Sequence, residues 1–342
     1  MLIAEPVRDA GQTQLLTALR QQITATLEPL VSGHSACALV GFPDSPNVGD
    51  SAIWLGELAW LRQAAVRVAY RCHERSYDPN ILDTSCPAGI IFLHGGGNLG
   101  DLWPRQQRLR ERVIHDFPSR LIVQLPQTIH FRDGANLARA RAVFDGHPNL
   151  TILVRDAASL DIAQREFRTT SVLCPDMAFY LGSVTRPRVP DVDMLWLRRT
   201  DLEAVAHGSE IGTRRTFVTD WLDPRPAALR RLRDAFQPVL HRYPRRLRLL
   251  RQLAEATFDR QASQRMRFGC GLLARGKVVV TDRLHGHILS LLLGIPHVVL
   301  DNNYGKLRHF YETWTRPMPQ VRWVESPEDA LAAAEQLLAC GV

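Results

Sequence analysis

Apolar residues along the chain fall into two alternating patterns. Short uninterrupted runs such as Ala36-Cys37-Ala38-Leu39-Val40-Gly41-Phe42 and Gly89-Ile90-Ile91-Phe92-Leu93-His94 read as strands buried on both faces. Stretches with apolar positions every three or four residues read as amphipathic helices. A helix is expected over 12–30, then strands at 36–42, 66–70, 89–94, 121–125, 151–154 and 171–173, with helices over 50–65, 104–116, 134–144 and 157–167. This alternation predicts a parallel α/β sheet. The Pro-rich stretch Thr185-Arg-Pro-Arg-Val-Pro190 interrupts it. A second set follows, with strands at 193–197, 277–281, 297–301 and 321–324 and helices over 284–293, 306–314 and 327–338. The expected fold class is α/β, with two Rossmann-like parallel-sheet domains facing a cleft. The domains divide as 1–186 and 187–342, with the terminal helix free to pack back on the first. Ligands of such sheets bind beyond the carboxyl ends of the strands.

Those strand ends carry the polar residues of interest. Asn47-Val-Gly49-Asp50-Ser51 runs into a helix, where free amides suit an anion; Asp50 or Ser51 as a plain helix cap is the alternative. His94-Gly95-Gly96-Gly97-Asn98-Leu99-Gly100 contains GxGxxG, but the next strand ends in Gln124-Leu-Pro126-Gln127 with no acidic residue for a ribose. It also contains the HGGG of esterases, yet the chain has no GxSxG elbow. What remains is a strand-to-helix turn whose glycines allow close approach. Arg155, directly after a strand, is either an anion ligand or half of a salt bridge; Asp176, after Cys174-Pro175, is either a carboxylate of the site or a cap. The sharpest turn is Thr281-Asp282-Arg283-Leu284-His285-Gly286-His287. An arginine fork, a histidine and the first amides of a helix share one spot there, which suits a small dianion beside a proton donor. Asp301-Asn302-Asn303-Tyr304-Gly305-Lys306 ends the following strand.

Composition narrows the classes. With 45% hydrophobic and 23% charged residues, the chain is neither disordered nor fibrous. The net charge of +7 invites nucleic acid, but it is local. Residues 225–275 hold 13 arginines against Asp234, Glu255 and Asp259, leaving the remainder at −3. With few aromatics, that segment is a poor stacking platform for nucleic acid. It reads as a solvated arginine-biased face or as a docking surface for anionic lipid. Only Lys277 and Lys306 are lysines. The six cysteines are scattered with no metal-ligand spacing, as in a reduced cytosolic protein, and no metal is expected. No signal peptide or membrane span is read, so any contact with the inner face of the plasma membrane is expected to be peripheral.

In their order along the chain, these motifs resemble the polysaccharide pyruvyl transferase family. The matching pieces are Asn47-Val-Gly49-Asp50, Gly95-Gly96-Gly97-Asn98, Pro126-Gln127-Thr128, Arg155-Asp156-x-x-Ser159, Cys174-Pro-Asp176 and Thr281-Asp-Arg283-Leu-His285-Gly286. The ending Asp301-Asn302-Asn303-Tyr304-Gly305-Lys306…Phe310-Tyr-Glu-Thr-Trp314 is similar to the exopolysaccharide branch. The resemblance implies a GT-B-like fold and transfer of a pyruvyl group from phosphoenolpyruvate onto two sugar hydroxyls as a cyclic ketal. It implies that Arg155, Arg283 and His285, with Leu284 and Gly286, hold phosphoenolpyruvate as donor substrate, with no cofactor. His285 is the expected acid, and Asp50 and Asp176 are the candidate bases. Asn47, Gly49, Gly95, Gly96, Gly97, Asn98, Gln127, Asn302, Asn303 and Tyr304 are expected on the acceptor or cleft side, facing a free or lipid-linked sugar. A GT-B-type nucleotide-sugar glycosyltransferase is the rival enzyme, and an arginine-rich nucleic-acid-binding module is the non-enzymatic one.

Overall fold

The computed structural model describes residues 10–200, 215–223, 231, 235, 248–301 and 305–340. It begins with α1 (Ala10–Val31), β1 (Ala36–Val40), α2 (Val48–Gln63), β2 (Arg67–Cys72), α3 (Pro79–Ser85), β3 (Ile90–Leu93) and β4 (Gly96–Gly100). Then follow α4 (Pro104–Asp116), β5 (Ile122–His130), α5 (Gly134–Asp145), β6 (Leu150–Val154), α6 (Ala157–Glu166), β7 (Thr170–Leu173) and a 3-10 turn (Met177–Leu181). The second set comprises β8 (Val192–Leu197), β9 (Thr216–Thr219), α7 (Arg248–Leu273), β10 (Gly276–Thr281), α8 (Leu284–Leu293) and β11 (His297–Val299). It closes with α9 (Lys306–Phe310), a π-helical turn (Tyr311–Thr315), β12 (Val321–Trp323) and α10 (Pro327–Ala339).

The strands form two parallel sheets. The first has the order β2-β1-β3-β5-β6-β7, with β4 pairing β5, and the second has the order β12-β11-β10-β8-β9. In each sheet the order reverses beside the first strand, between β1 and β3 and between β8 and β10. The loops leaving those neighbouring strands diverge to opposite faces and open a crevice at each reversal. A single apolar core joins the two sheets: Ile53, Trp54, Met177 and Phe179 share it with Leu195, Leu197, Ile288 and Leu292. Separate clusters fill the far face of each sheet.

Three expectations change. The glycine run is not a turn into a helix; from Gly96 it continues as β4 along the second half of β5. Its polar, glycine-rich sequence carries no strand periodicity, and pairing with β5 decides its conformation. Gly100, at φ +136°, lies so close to β5 that a Cβ would stand 1.8 Å from the His130 carbonyl oxygen. The terminal helix α10 packs through Ala330, Ala334 and Leu337 on Val278, Val280 and Val298 of the second sheet, not on the first. The arginine-rich segment is not simply a solvated face. Residues 225–247 lie mostly outside the described residues, but α7 packs on α2. Asp259 accepts from the Trp54 indole at 3.0 Å, and the buried Arg265 donates to the Pro43 carbonyl.

Helix α2 meets the 3-10 turn so closely that a Cβ on Gly56 would lie 1.9 Å from the Met177 carbonyl oxygen. Backbone cannot yield there as a side chain can. Gly56→Ala is therefore expected to lose about 3 kcal/mol of stability, read from the urea midpoint. An unchanged midpoint would refute this contact.

Candidate functional site

The crevices of the two sheets face one another across a cavity of about 610 Å³. From the first sheet it is lined by the loop after β1, including Asn47 and Asp50, by Gly97 and Asn98 of β4, and by Arg155 after β6. From the second it is lined by Arg199 after β8, by Arg283, Leu284 and His285 at the start of α8, and by Lys306 at the start of α9. Arg155, Arg283, His285 and Lys306 are all buried. Cations in such a place repel one another unless anions intervene.

Arg155 is completely inaccessible, and each nitrogen has a distinct situation. Nε donates to Thr128 Oγ1 at 3.0 Å, and Nη1 donates to Asp176 Oδ2 at 2.6 Å. Nη2 is buried with no hydrogen-bond partner. The motifs around it interlock: Asp156 caps α6 through the Ser159 amide and accepts from Thr128 Oγ1, so Thr128 is fixed before it meets Arg155. Beyond Nη2 lies Gly97. A Cβ there would be 2.9 Å from Arg155 Nη2 and 2.2 Å from Lys306 Nζ, so the missing side chain lets both cations approach one spot.

Asp176 is both a cap and a member of the site. Oδ1 accepts from the Ala178 amide at 2.9 Å; Oδ2 accepts from Arg155 and lies 3.4 Å from His285 Nε2, an ion-pair distance without hydrogen-bond geometry. Burial opposes its ionisation, but the charges of His285 and Arg155 and the Ala178 amide outweigh burial and hold the carboxyl well below the usual carboxylate range. Arg283 is held from behind: Nε and Nη2 donate to the two oxygens of Asp220 at 2.6 and 2.7 Å. Asp282 accepts from the Arg199 amide at 2.9 Å and ties the same turn to β8.

Asn47, not Asp50 or Ser51, caps α2, accepting from the Gly49 amide at 3.1 Å. Asp50 is left facing the cavity, with Ser45 Oγ donating to it at 2.9 Å. Gly49 touches the His285 ring, where a Cβ would fall 2.5 Å from Nδ1. Gly286 packs the helix on its sheet, a Cβ falling 2.5 Å from Thr281 Oγ1. The expected acceptor residues divide. Asn98 reaches the cavity, its Oδ1 accepting from Gln127 Nε2 and Arg110 Nη2 at 2.9 and 2.8 Å. Gln127 is buried and spent on Asn98 and the His94 carbonyl. Gly95 donates its amide to the buried Glu57, and Gly96, at φ +126°, supports the strand. Asn302, Asn303 and Tyr304 lie outside the described residues.

Four contributors were not among the expected site residues: Lys306, Arg199, Asp220 and Glu57. Lys306 had a signal, being one of two lysines in a chain with 40 arginines. Asp220 had none, because it directly follows the short β9, whose sequence lacks a strong strand pattern.

Behind the site, His287 and His297 are buried in a directed chain. Ile295 offers only a carbonyl, so His297 Nδ1 donates to it at 2.8 Å. His297 Nε2 must then accept from His287 Nδ1 at 2.7 Å, and His287 Nε2 from Thr315 Oγ1 at 2.9 Å. This works only with both rings neutral, and burial pushes His297 down to about 4 and His287 well below its usual value. In the unfolded chain they take up protons near pH 6.5, so stability is full above that pH and falls on acidification. His297 alone is expected to contribute about 2 kcal/mol of loss between pH 7 and 5. Urea midpoints at the two pH values should show a correspondingly smaller loss in His297→Gln. Equal losses would refute the neutral pair.

Fold and site together define an α/β protein of GT-B-like arrangement, with buried cationic side chains lining a cavity between two Rossmann-like sheets. The same fold is found in the crystal structure of an uncharacterized protein from Klebsiella pneumoniae. It is 17% identical, with a TM-score of 0.60 and coverage of 90% of this chain and 99% of that one. The family model of polysaccharide pyruvyl transferase matches residues 47–304. Pyruvyl transferase 1 of Schizosaccharomyces pombe is 34% identical over 83% of this chain and 70% of its own length. EpsO of Bacillus subtilis is 33% identical over 91% and 94% respectively. The chain belongs to the polysaccharide pyruvyl transferase family and is a transferase. Among the described residues no helix is long and apolar enough to cross a membrane.

Proposed function

We propose that the chain transfers the pyruvyl group of phosphoenolpyruvate onto two hydroxyls of a sugar, forming a cyclic ketal in cell-surface glycan synthesis. One observation carries this reading: Arg155 with its unpartnered Nη2, Arg283 and Lys306 converge on a cavity that also holds His285. A carboxylate and a phosphate on one small molecule match that charge, and the histidine supplies a proton beside them.

The scheme starts with protonation of the substrate methylene carbon by His285. Its Nε2 lies 3.4 Å from Asp176 Oδ2 and its ring lines the cavity, so the imidazole is placed to deliver a proton there. The resulting oxocarbenium-like carbon accepts a sugar hydroxyl. The carbon–oxygen bond to phosphate breaks, inorganic phosphate departs, and a second hydroxyl closes the ketal. Of the two hydroxyl protons released, one balances the proton gained at carbon and the other leaves on phosphate. Asp176 has both oxygens engaged and is held ionised, so the base role is assigned to Asp50, which faces the cavity. No cofactor enters the scheme.

Phosphate release from phosphoenolpyruvate is to be measured across a panel of acceptor glycosides, with products identified by mass. Release that requires a particular diol, with a pyruvyl ketal in the product, is the expected result. Calorimetric binding of a nucleotide-diphosphate sugar with none of phosphoenolpyruvate would overturn it in favour of a glycosyltransferase.

A further inference from the structure

The segment Phe310-Tyr311-Glu312-Thr313-Trp314-Thr315 has no part in that chemistry, yet it carries a π-helical turn, closed by the Arg316 amide donating to the Tyr311 carbonyl at 2.9 Å. A π turn accommodates one more residue than an α turn and redirects the side chains it carries; such turns are rare and often lie at functional sites. Here three consecutive side chains address three different places. Thr313 Oγ1 accepts from the Ala157 amide at 3.2 Å. The Trp314 indole Nε1 donates to the Arg155 carbonyl at 2.8 Å. Thr315 Oγ1 donates to His287, two residues beyond His285 on α8.

The first two contacts reach the first sheet's anion loop, and the third reaches the helix at the start of which Arg283 and His285 stand. Arg155 thereby has every backbone group engaged: its amide donates to the Gln127 carbonyl at 3.0 Å and its carbonyl is held by Trp314. Its side chain is fixed by Thr128 and Asp176. Among the described residues only the Trp314 bond ties the Arg155 backbone to the second sheet's elements. The other end of the turn is anchored through Thr315, His287 and His297 to β11.

We propose that the π turn is a clasp that sets the distance between Arg155 and the Arg283–His285 turn, with Trp314 as the positioning residue. The proposal rests on reading those residues as the donor site. A clasp of this kind acts on the fit of a ligand bridging both halves. Once the ligand is bound it holds both halves itself, so the step catalysed by His285 and the acceptor side are expected to change little at saturation.

The test is Trp314→Phe, which keeps an aromatic ring and removes the indole N–H. With the glycoside that supports phosphate release, the KM for phosphoenolpyruvate is expected to rise about tenfold. The kcat at saturation and the KM for the glycoside should stay within twofold, and the melting temperature within a few degrees. An unchanged donor KM, or a loss spread equally over all parameters and following the melting temperature, would overturn the clasp. Should Trp314→Phe not fold, Thr313→Val removes the acceptor of the Ala157 amide and is expected to raise the donor KM about threefold; no rise would count equally against it. Calorimetry of the wild type with phosphoenolpyruvate separates the levels. Absent binding refutes the donor reading and the clasp with it, whereas wild-type binding beside an unchanged variant refutes the clasp alone.

Discussion

Arg155→Ala is expected to abolish binding of the proposed donor, phosphoenolpyruvate, and to lower folding stability by about 3–5 kcal/mol. The two effects have separate causes. The expected loss of binding follows because Nη2 is a buried guanidinium donor with no partner of its own, Arg283 is already paired with Asp220, and Lys306 offers a point charge, not a fork. Stability is lost because Asp176 stays buried and ionised, with its 2.6 Å partner removed. A double variant distinguishes them. Arg155→Met with Asp176→Asn removes both charges and is expected to recover most of the stability while still failing to bind phosphoenolpyruvate. Thermal melts and calorimetry read the two quantities independently. A single variant that melts like the wild type would mean that solvent reaches Asp176. A variant that still binds tightly would place the anion elsewhere in the cavity.

His285→Gln is expected to show the opposite split, with turnover reduced by roughly 10²–10⁴-fold and phosphoenolpyruvate affinity changed by less than about threefold. Glutamine keeps a polar group beside Asp176 and Gly49 but cannot carry a proton to carbon. The arginines and Lys306, which provide the binding charge, are untouched. Single-turnover phosphate release and calorimetry on the same preparation decide the matter. Turnover near the wild-type rate would remove His285 as the acid, and a large loss of affinity would make it a ligand first.

The division between legible and illegible features follows from how far each interaction reaches along the chain. Helices 104–116 and 284–293 have the bounds their periodicity predicts. Apolar spacing, Pro104 at a helix start and Gly294 in the left-handed conformation after a helix end are local signals. The candidate chemistry was visible for the same reason: in a parallel sheet the polar turns at strand ends are the residues without a packing duty. Arg283 and His285 stand out in the sequence because they interrupt an apolar strand and an apolar helix.

What the turns do to each other was not legible. Asp176 could be a base or a cap until Arg155 and His285, 21 and 109 residues away in number, came within 2.6 and 3.4 Å. The glycine run could be a turn until β5 paired with it, since glycine carries no periodicity and accepts either conformation. Asp220, Lys306 and Trp314 act only across the space between the sheets. Local sequence thus determined which elements form and which polar groups are left at their ends. The tertiary structure alone decided which of those groups meet, because sheet order and the burial of a shared core, not chain spacing, bring the two reversals face to face.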